Sequence, residues 1–106
     1  MRDALAFALG LTLGAIGIAV AADPPLIHQK NREFAPARVE LKQGGELTFL
    51  NDDDTVHHVF VDSAKLQYDS GAIVPGQSVT VKFPQAGVFD VMCAIHPRMK
   101  LRVTVR

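Results

Sequence analysis

The stretch GVFDVMCAIHPRMKLRVTV, residues 87–105, contains two segments of extended chain on either side of a short loop. In the first segment Phe89, Val91 and Cys93 share one face, because successive side chains of a strand point to opposite faces. Residues 100–105 repeat the pattern, with apolar side chains at alternate positions. We therefore predict two strands, each with one face toward a hydrophobic core.

The same alternation recurs upstream, and no stretch after residue 25 shows sustained helical periodicity. Turn signals rich in glycine and proline separate several of these segments. Together they indicate an all-β fold, a Greek-key β-sandwich or barrel of about six to eight strands. Residues 63–68 suit either a loop or one helical turn. The predicted strands are residues 26–29, 38–42, 47–51, 58–61, 78–83, 88–93 and 100–105.

The N-terminal segment has the composition of a secretory signal peptide. Residues 4–20 are apolar except for Thr12, and the small residues that follow satisfy the small-x-small pattern of signal peptidase. The alternative is an uncleaved anchor, because about 17 apolar residues are just enough to span a bilayer. No basic cluster follows, which favours cleavage. We predict a signal peptide over residues 1–22, export to the periplasm, and a mature domain over residues 23–106 without stable membrane insertion.

Composition restricts what this mature domain can be. A domain of this size has a marginal core, which disulfides or metals often reinforce. The chain has a single cysteine, so an internal disulfide is impossible and a metal is the remaining reinforcement. The formal net charge is zero, from 11 basic and 11 acidic residues, which argues against nucleic acid as a partner. The run Asp52–Asp54 lacks the pattern of a calcium loop and is predicted to be a solvated turn.

Metal-binding residue types are concentrated in the loop between the last two predicted strands. Cys93, His96 and Met99 follow one another at three-residue intervals, and His57 and His58 form a pair in a separate segment. A thiolate, a thioether and two imidazoles are the ligand set of a mononuclear electron-transfer copper site. We therefore predict that one loop supplies three ligands and that a second strand supplies the fourth.

The fourth ligand is ambiguous from alternation alone. His57 shares a face with Val59 and Val61, whereas His58 shares a face with Phe60. Since Phe60 is apolar as well, either face can point toward the core. The residue pattern therefore leaves both histidines open.

Residues 26–106 resemble the cupredoxins, the small blue-copper proteins, and are most similar to their plastocyanin/amicyanin branch. The Cys-x₂-His-x₂-Met loop has the short amicyanin-like spacing. The resemblance covers essentially the whole predicted mature chain. The other matching stretches are Phe34-Ala-Pro36, Val39-Glu-Leu41 with Gly44 and Gly45, Leu47-Thr-Phe49-Leu-Asn51, His57-His58-Val59-Phe60, Val74-Pro75-Gly76-Gln-Ser and Gly87-Val-Phe89-Asp-Val91-Met-Cys93.

This resemblance implies a ligand set and exposes two departures. It implies one copper ion per chain, bound by the residues that match the family motif, which are His57, Cys93, His96 and Met99. His58 stands where the branch usually has an asparagine that helps to orient the site, so that support is not carried over. Met92 stands where an aromatic residue is usual, so an electron path through that aromatic is not carried over.

The expected function is that of a periplasmic one-electron carrier between redox partners, and not of an enzyme. The protein is expected to be a monomer that docks a redox partner transiently near His96, with Arg98 adding charge steering. The alternative is a periplasmic copper-delivery protein, in which His58 would serve as an exchange ligand beside His57. A weaker possibility is zinc, or no metal at all, with the fold acting as a binding module.

Overall fold

The computed structural model describes residues 23–106, and these residues form nine β-strands and no helix. The predicted all-β class is confirmed, with a few more strands than expected. Residues 1–22, which carry the predicted signal peptide, lie outside the described residues. In the described part of the chain there is no helix with the length and apolar character needed to cross a membrane. The strands are β1 Leu26–Lys30, β2 Glu33–Ala35, β3 Arg38–Leu41, β4 Glu46–Asn51, β5 Phe60–Ser63, β6 Leu66–Asp69, β7 Ser78–Lys82, β8 Gly87–Met92 and β9 Lys100–Val105.

The strands form two mixed sheets. The four-stranded sheet has the order β2-β1-β4-β7, and the five-stranded sheet has the order β3-β9-β8-β5-β6. β1 runs parallel to β4 and β3 runs parallel to β9, while the other neighbours are antiparallel. Each sheet therefore contains one parallel pair, and sequence neighbours are often separated in space, as long crossover connections require.

The core lies between the two sheets and follows the alternation of the strands. Along β9 the apolar residues are buried, while Lys100 and Arg102 face solvent. Phe83, just after β7, packs edge-to-face on Phe89 of β8, with ring centroids 5.6 Å apart. Fully burying one such side chain contributes about 1.5–3 kcal/mol. This pair therefore joins the end of the four-stranded sheet to the five-stranded sheet.

Two short strands were not predicted. β2 pairs with β1 through a two-residue turn in which Asn31 and Arg32 both have positive φ, 55° and 57°. Such turns normally contain glycine, so an Asn-Arg pair gave no hairpin signal. β6 pairs with β5 and occupies part of the segment that suited a loop or a helical turn. β2 has only three residues, and β6 is an edge strand whose apolar side chains are only half-buried.

Three chain segments meet at one end of the sandwich. β8 ends at Met92 and β9 begins at its partner Lys100, while β4 in the other sheet ends at Asn51. The contact between His57 and Cys93 brings the chain that follows β4 to the same end. The segment 52–59 and the loop 93–99 follow directly from these strand ends. The predicted metal-binding residues are therefore gathered here by the sheet topology.

Candidate metal centre

Three of the predicted ligands lie together at this end of the sandwich. The side-chain donor atoms of His57, Cys93 and His96 all lie within 4.8 Å of one another. Sγ of Cys93 is 3.9 Å from Nδ1 of His57 and 3.8 Å from Nδ1 of His96. A trigonal ion with metal–sulfur and metal–nitrogen bonds of about 2.3 and 2.0 Å requires sulfur–nitrogen separations of about 3.7 Å. Both sulfur–nitrogen separations are therefore close to those that one bound metal ion requires.

The burial of the two side chains, which both precede β5, shows which of the paired histidines faces this cluster. The side chain of His57 is 0% exposed and lies in the interior with Val59, whereas the side chain of His58 is 22% exposed. Two backbone hydrogen bonds with Ile73 hold His57 in place. The N–H of Ile73 donates to the carbonyl of His57 at 2.8 Å, and the N–H of His57 donates to the carbonyl of Ile73 at 3.1 Å. The structure therefore brings His57, and not His58, to Cys93.

The outer nitrogen of the His57 ring has a carboxylate partner. Nε2 of His57 lies 2.9 Å from Oδ2 of Asp53, whose side chain is only 7% exposed. If Nε2 carries the proton and donates it to this carboxylate, the Nδ1 lone pair is directed toward Cys93 and is free to bind a metal. The prediction of a solvated turn is therefore wrong for Asp53, which orients a candidate ligand. Its position four residues before His57 was the only available signal.

Asp53 is held as an anion by its surroundings. The backbone N–H of Arg32 donates to its carboxylate at 2.9 Å and is the main cause that lowers the pKa of Asp53 well below its usual range. Burial opposes this effect, while hydrogen bonds from His57 and from the backbone N–H of Asp54 add to it. Because the Arg32 amide belongs to the β1–β2 turn, that turn is connected to the metal centre through Asp53.

Asn51 fixes the loop that carries Asp53. Its side chain is fully buried, and its amide nitrogen donates to the carbonyls of Thr55 and Ile73 at 2.9 and 2.8 Å. Its side-chain oxygen accepts from the backbone N–H of Asp53 at 3.0 Å. One side chain thus connects the loop before His57 to the segment that pairs with His57. The sequence indicated only that Asn51 ends a strand.

The sulfur of Cys93 accepts a hydrogen bond from a backbone amide. The N–H of His58 lies 3.3 Å from Sγ of Cys93, which is itself almost completely buried. Since the donor is the main chain, this contact does not depend on which side chain follows His57. The replacement of the usual asparagine by His58 therefore leaves this support of the sulfur intact. Nδ1 of His58 lies 3.8 Å from Oδ1 of Asp69, beyond hydrogen-bond distance.

The loop between β8 and β9 positions the other two predicted ligands. The ring of His96 packs against the ring of His57, with centroids 4.9 Å apart and an angle of 65° between the planes. The N–H of Met99 donates to the carbonyl of His96 at 2.9 Å, which closes a turn, and the side chain of Met99 is buried. His96 is only half-buried. It therefore connects the buried donors to the surface, where a concavity of about 560 Å³ is lined by Asn31, Arg32, Glu33, Ile95, His96, Pro97 and Arg98.

Comparisons with known proteins agree with this geometry. A chloroplastic plastocyanin from Tetradesmus obliquus is 28% identical over 99 residues, which is 85% of this chain and 65% of the plastocyanin. Amicyanin-alpha from Methylorubrum extorquens is 29% identical over 76 residues, which is 69% of this chain and 64% of the amicyanin. The chain therefore spans slightly less than two thirds of the length of these relatives.

Solved structures show the same fold. The crystal structure of amicyanin from Paracoccus versutus matches with a TM-score of 0.73 and 22% identity, over 82% of this chain and 85% of that one. A copper-containing nitrite reductase from Thermus scotoductus matches with a TM-score of 0.75 and 21% identity, over 86% of this chain but only 24% of its own. The family model of the cupredoxin-like domain matches residues 4–105. The resemblance read from the sequence is thereby confirmed, and the chain belongs to the cupredoxin-like family.

Proposed function

We propose that the mature protein is a periplasmic one-electron carrier with one mononuclear blue-copper ion, bound by His57, Cys93, His96 and Met99. The observation that carries this proposal is the clustering of one sulfur and two imidazole donors within 4.8 Å of one another. This donor set, with a weak axial thioether, is the one that blue-copper electron-transfer sites use. Amicyanin, whose fold this chain shares, has been solved in Cu(I) form.

A rigid, water-poor site suits this function. His57 and Cys93 are buried, and the ring of His57 is held by Asp53 on one side while its backbone is held by Ile73. Copper, when bound, supplies a reversible Cu(I)/Cu(II) couple. Because the side chains are held in place before the metal binds, little reorganisation accompanies a change in its charge, which favours fast electron exchange.

His96 is the proposed route for electrons. Of the three clustered donors it alone is not buried, and it lies between Ile95, which is 48% exposed, and the exposed Pro97. An apolar surface around the ring edge permits close but transient contact with a redox partner. We infer that the protein acts as a monomer that docks its partner at this surface.

No enzymatic activity is proposed. A thiolate, two imidazoles and a thioether fill the coordination sphere, whereas a catalytic metal site keeps an open position for water or substrate. The matching nitrite reductase is a much longer protein, of which this chain covers about a quarter.

Export is part of the same proposal. The apolar residues 4–20 and the small residues after them have the pattern of a cleaved signal peptide, which would place residues 23–106 in the periplasm. An oxidising compartment also suits a chain whose single thiol is protected by ligation. N-terminal sequencing of the secreted protein tests this, and a protein that retains Met1 in the membrane fraction would contradict it.

Copper delivery is the alternative function. The observation in its favour is Nδ1 of His58, which is buried and has no hydrogen-bond partner among residues 23–106. As an exchange ligand beside His57, it would help copper to leave. Against this, His57 and Cys93 are buried, so an acceptor of copper has little access to them. Rapid copper transfer to a competing chelator, together with slow electron self-exchange, would favour delivery over electron transfer.

The decisive experiment is the visible and electron paramagnetic resonance spectra of the copper-loaded protein. We expect an intense visible thiolate-to-Cu(II) band, as the His₂Cys ligand set implies, and a narrow copper hyperfine splitting. A Cys93→Ser variant should lose the band and serves as the matched control. A colourless protein with a tetragonal copper spectrum would refute the proposed site.

A further inference from the structure

One side of the metal-bearing end of the molecule carries a concentration of positive charge. Arg38 on β3 lies directly opposite Arg102 on β9, and both line a shallow depression of about 260 Å³ with Lys100. Arg98 precedes this group in the loop that contains His96. These four exposed residues, Arg38, Arg98, Lys100 and Arg102, are called the basic patch below.

Only one of the four cations in the basic patch has a carboxylate within ion-pair distance among residues 23–106. Arg102 pairs with Asp90 at 3.3 Å, but Arg38, Arg98 and Lys100 form no salt bridge with any residue in the range 23–106. Like charges directly opposite each other on paired strands destabilise a sheet. Arg38 therefore lies beside a like charge on the paired strand, and of these two residues only Arg102 has a carboxylate partner.

This charge is asymmetric in a protein without net charge. The formal net charge of the chain is zero, so acidic residues elsewhere in the chain compensate the charge of the basic patch. The acidic run Asp52–Asp54 follows β4, which belongs to the other sheet. Arg32, across the concavity beside His96, has Asp54 as a partner at 3.9 Å. The cations without a carboxylate partner therefore lie on β3, at the start of β9 and in the loop before it, whereas Arg32 beside the concavity has Asp54 within 3.9 Å.

The basic patch is continuous with the surface through which electrons are proposed to pass. Arg98 and His96 line the same concavity, and Lys100 begins β9 directly after the loop. A partner held against the basic patch is therefore also close to the ring of His96. Charge complementarity of this kind orients an encounter and can raise association rates by about 10 to 1,000-fold.

We propose that the basic patch docks an acidic face of the redox partner, namely a cluster of Asp and Glu side chains beside the partner's own redox centre. This proposal rests on the electron-carrier function proposed above. Arginine guanidinium groups suit carboxylates because they can donate two parallel hydrogen bonds. Rigid strands hold three of the four cations in place, so that the orientation of the partner is defined at little entropic cost.

A carboxylate-terminated monolayer on gold serves as the probe for such an acidic face, with an amine-terminated monolayer as its opposite. The test variant is Arg38→Gln/Arg98→Gln/Lys100→Gln, which removes three charges and leaves the Arg102–Asp90 pair. The matched control is Lys42→Gln/Lys65→Gln/Lys82→Gln, which removes the same charge from the other end of the sandwich. Adsorbed mass and the electron-transfer rate constant are measured on the copper-loaded protein.

We expect the test variant to adsorb about tenfold less on carboxylate at low ionic strength, with an equally reduced rate constant, and the control variant to behave like the wild type. The difference should vanish at about 0.5 M salt, where screening is nearly complete. Equal losses in both variants would overturn the proposal, as would stronger wild-type adsorption on the amine surface.

Two further outcomes distinguish this proposal from binding to a lipid surface and from a failure of the electron-carrier function. Binding to vesicles that contain phosphatidylglycerol, lost in the test variant and without a response on carboxylate, would assign the basic patch to a lipid surface and overturn a protein partner. Absence of a reversible copper couple in solution would contradict the electron-carrier function. The adsorbed mass still decides whether the basic patch recognises carboxylates in that case, because adsorption does not depend on the redox signal.

Discussion

Nε2 of His57 lies 2.9 Å from Oδ2 of Asp53, while Nδ1 of the same ring lies 3.9 Å from Sγ of Cys93. The imidazole therefore bridges a buried carboxylate and a buried sulfur. Hydrogen bonds to the far side of a metal-binding histidine fix its tautomer and raise its basicity. Asp53 is thus a positioning residue for the proposed copper site, although it contacts none of the other clustered donors in the described structure.

The first prediction concerns Asp53 itself. Asp53→Ala should weaken copper binding by about 10 to 100-fold, because the His57 ring loses its orienting partner. Competition with a chelator of known affinity measures the change. Asp54→Ala is the matched control, because the side chain of Asp54 is largely exposed and should leave affinity unchanged. Equal affinities of Asp53→Ala and wild type would contradict the role assigned to Asp53.

The second prediction concerns acid stability. The pKa of Asp53 is lowered by folding, mainly by the Arg32 amide, so its carboxylate stabilises the fold fully above the ordinary value of 3.8. This contribution is lost as pH falls below that value toward the folded pKa. The copper-free Asp53→Asn variant should therefore have a free energy of unfolding that depends less on pH between about pH 5 and 3. Urea unfolding at several pH values measures the slope, and parallel curves for both proteins would contradict the prediction.

The third prediction distinguishes the adjacent histidines. His57→Ala should abolish the blue absorption, because its ring supplies a clustered donor. His58→Ala should retain it, because His58 supports Cys93 through its backbone N–H. The visible spectra of the two copper-loaded variants provide the test. Loss of colour in His58→Ala but not in His57→Ala would reverse the assignment.

The fourth prediction concerns the loop held by Asn51. Asn51→Ala should destabilise the protein by about 1–3 kcal/mol, since it removes the side-chain hydrogen bonds to the carbonyls of Thr55 and Ile73 and to the N–H of Asp53. Copper binding should weaken as well, because Asp53 is no longer held. Asn51→Asp keeps the shape and the acceptor but not the donor, and should be destabilised too. Urea unfolding of the copper-free variants measures both values.

The fifth prediction concerns the β1–β2 turn. Arg32→Gly should stabilise the protein by about 0.5–1 kcal/mol, because glycine adopts positive φ without the steric cost that Arg32 bears at 57°. The amide that donates to Asp53 is retained. Glu33→Gly, one position later in β2, is the control and should destabilise instead, since glycine weakens a strand. A loss of stability in Arg32→Gly would show that its side chain matters more than its backbone.

Local patterns were sufficient for most of the fold. Seven strands were predicted from period-two alternation, although β5 begins two residues later than predicted. β2 and β6 were not predicted, and the reason differs between them. The first is three residues long and follows a turn without glycine, and the second is a half-buried edge strand. Such strands are stabilised by pairing with neighbours rather than by their own pattern.

The sequence by itself determined the all-β class and the chemistry of the loop from Cys93 to Met99, because alternation and ligand spacing are properties of adjacent residues. Only the tertiary structure decided that His57 rather than His58 faces Cys93, since both faces of that segment are partly apolar. It also showed that Asp53 and Asn51 support the site, and it placed Arg38 opposite Arg102 on the neighbouring strand. Each of these depends on contacts between strands that are distant in sequence, which only the packing of the two sheets brings together.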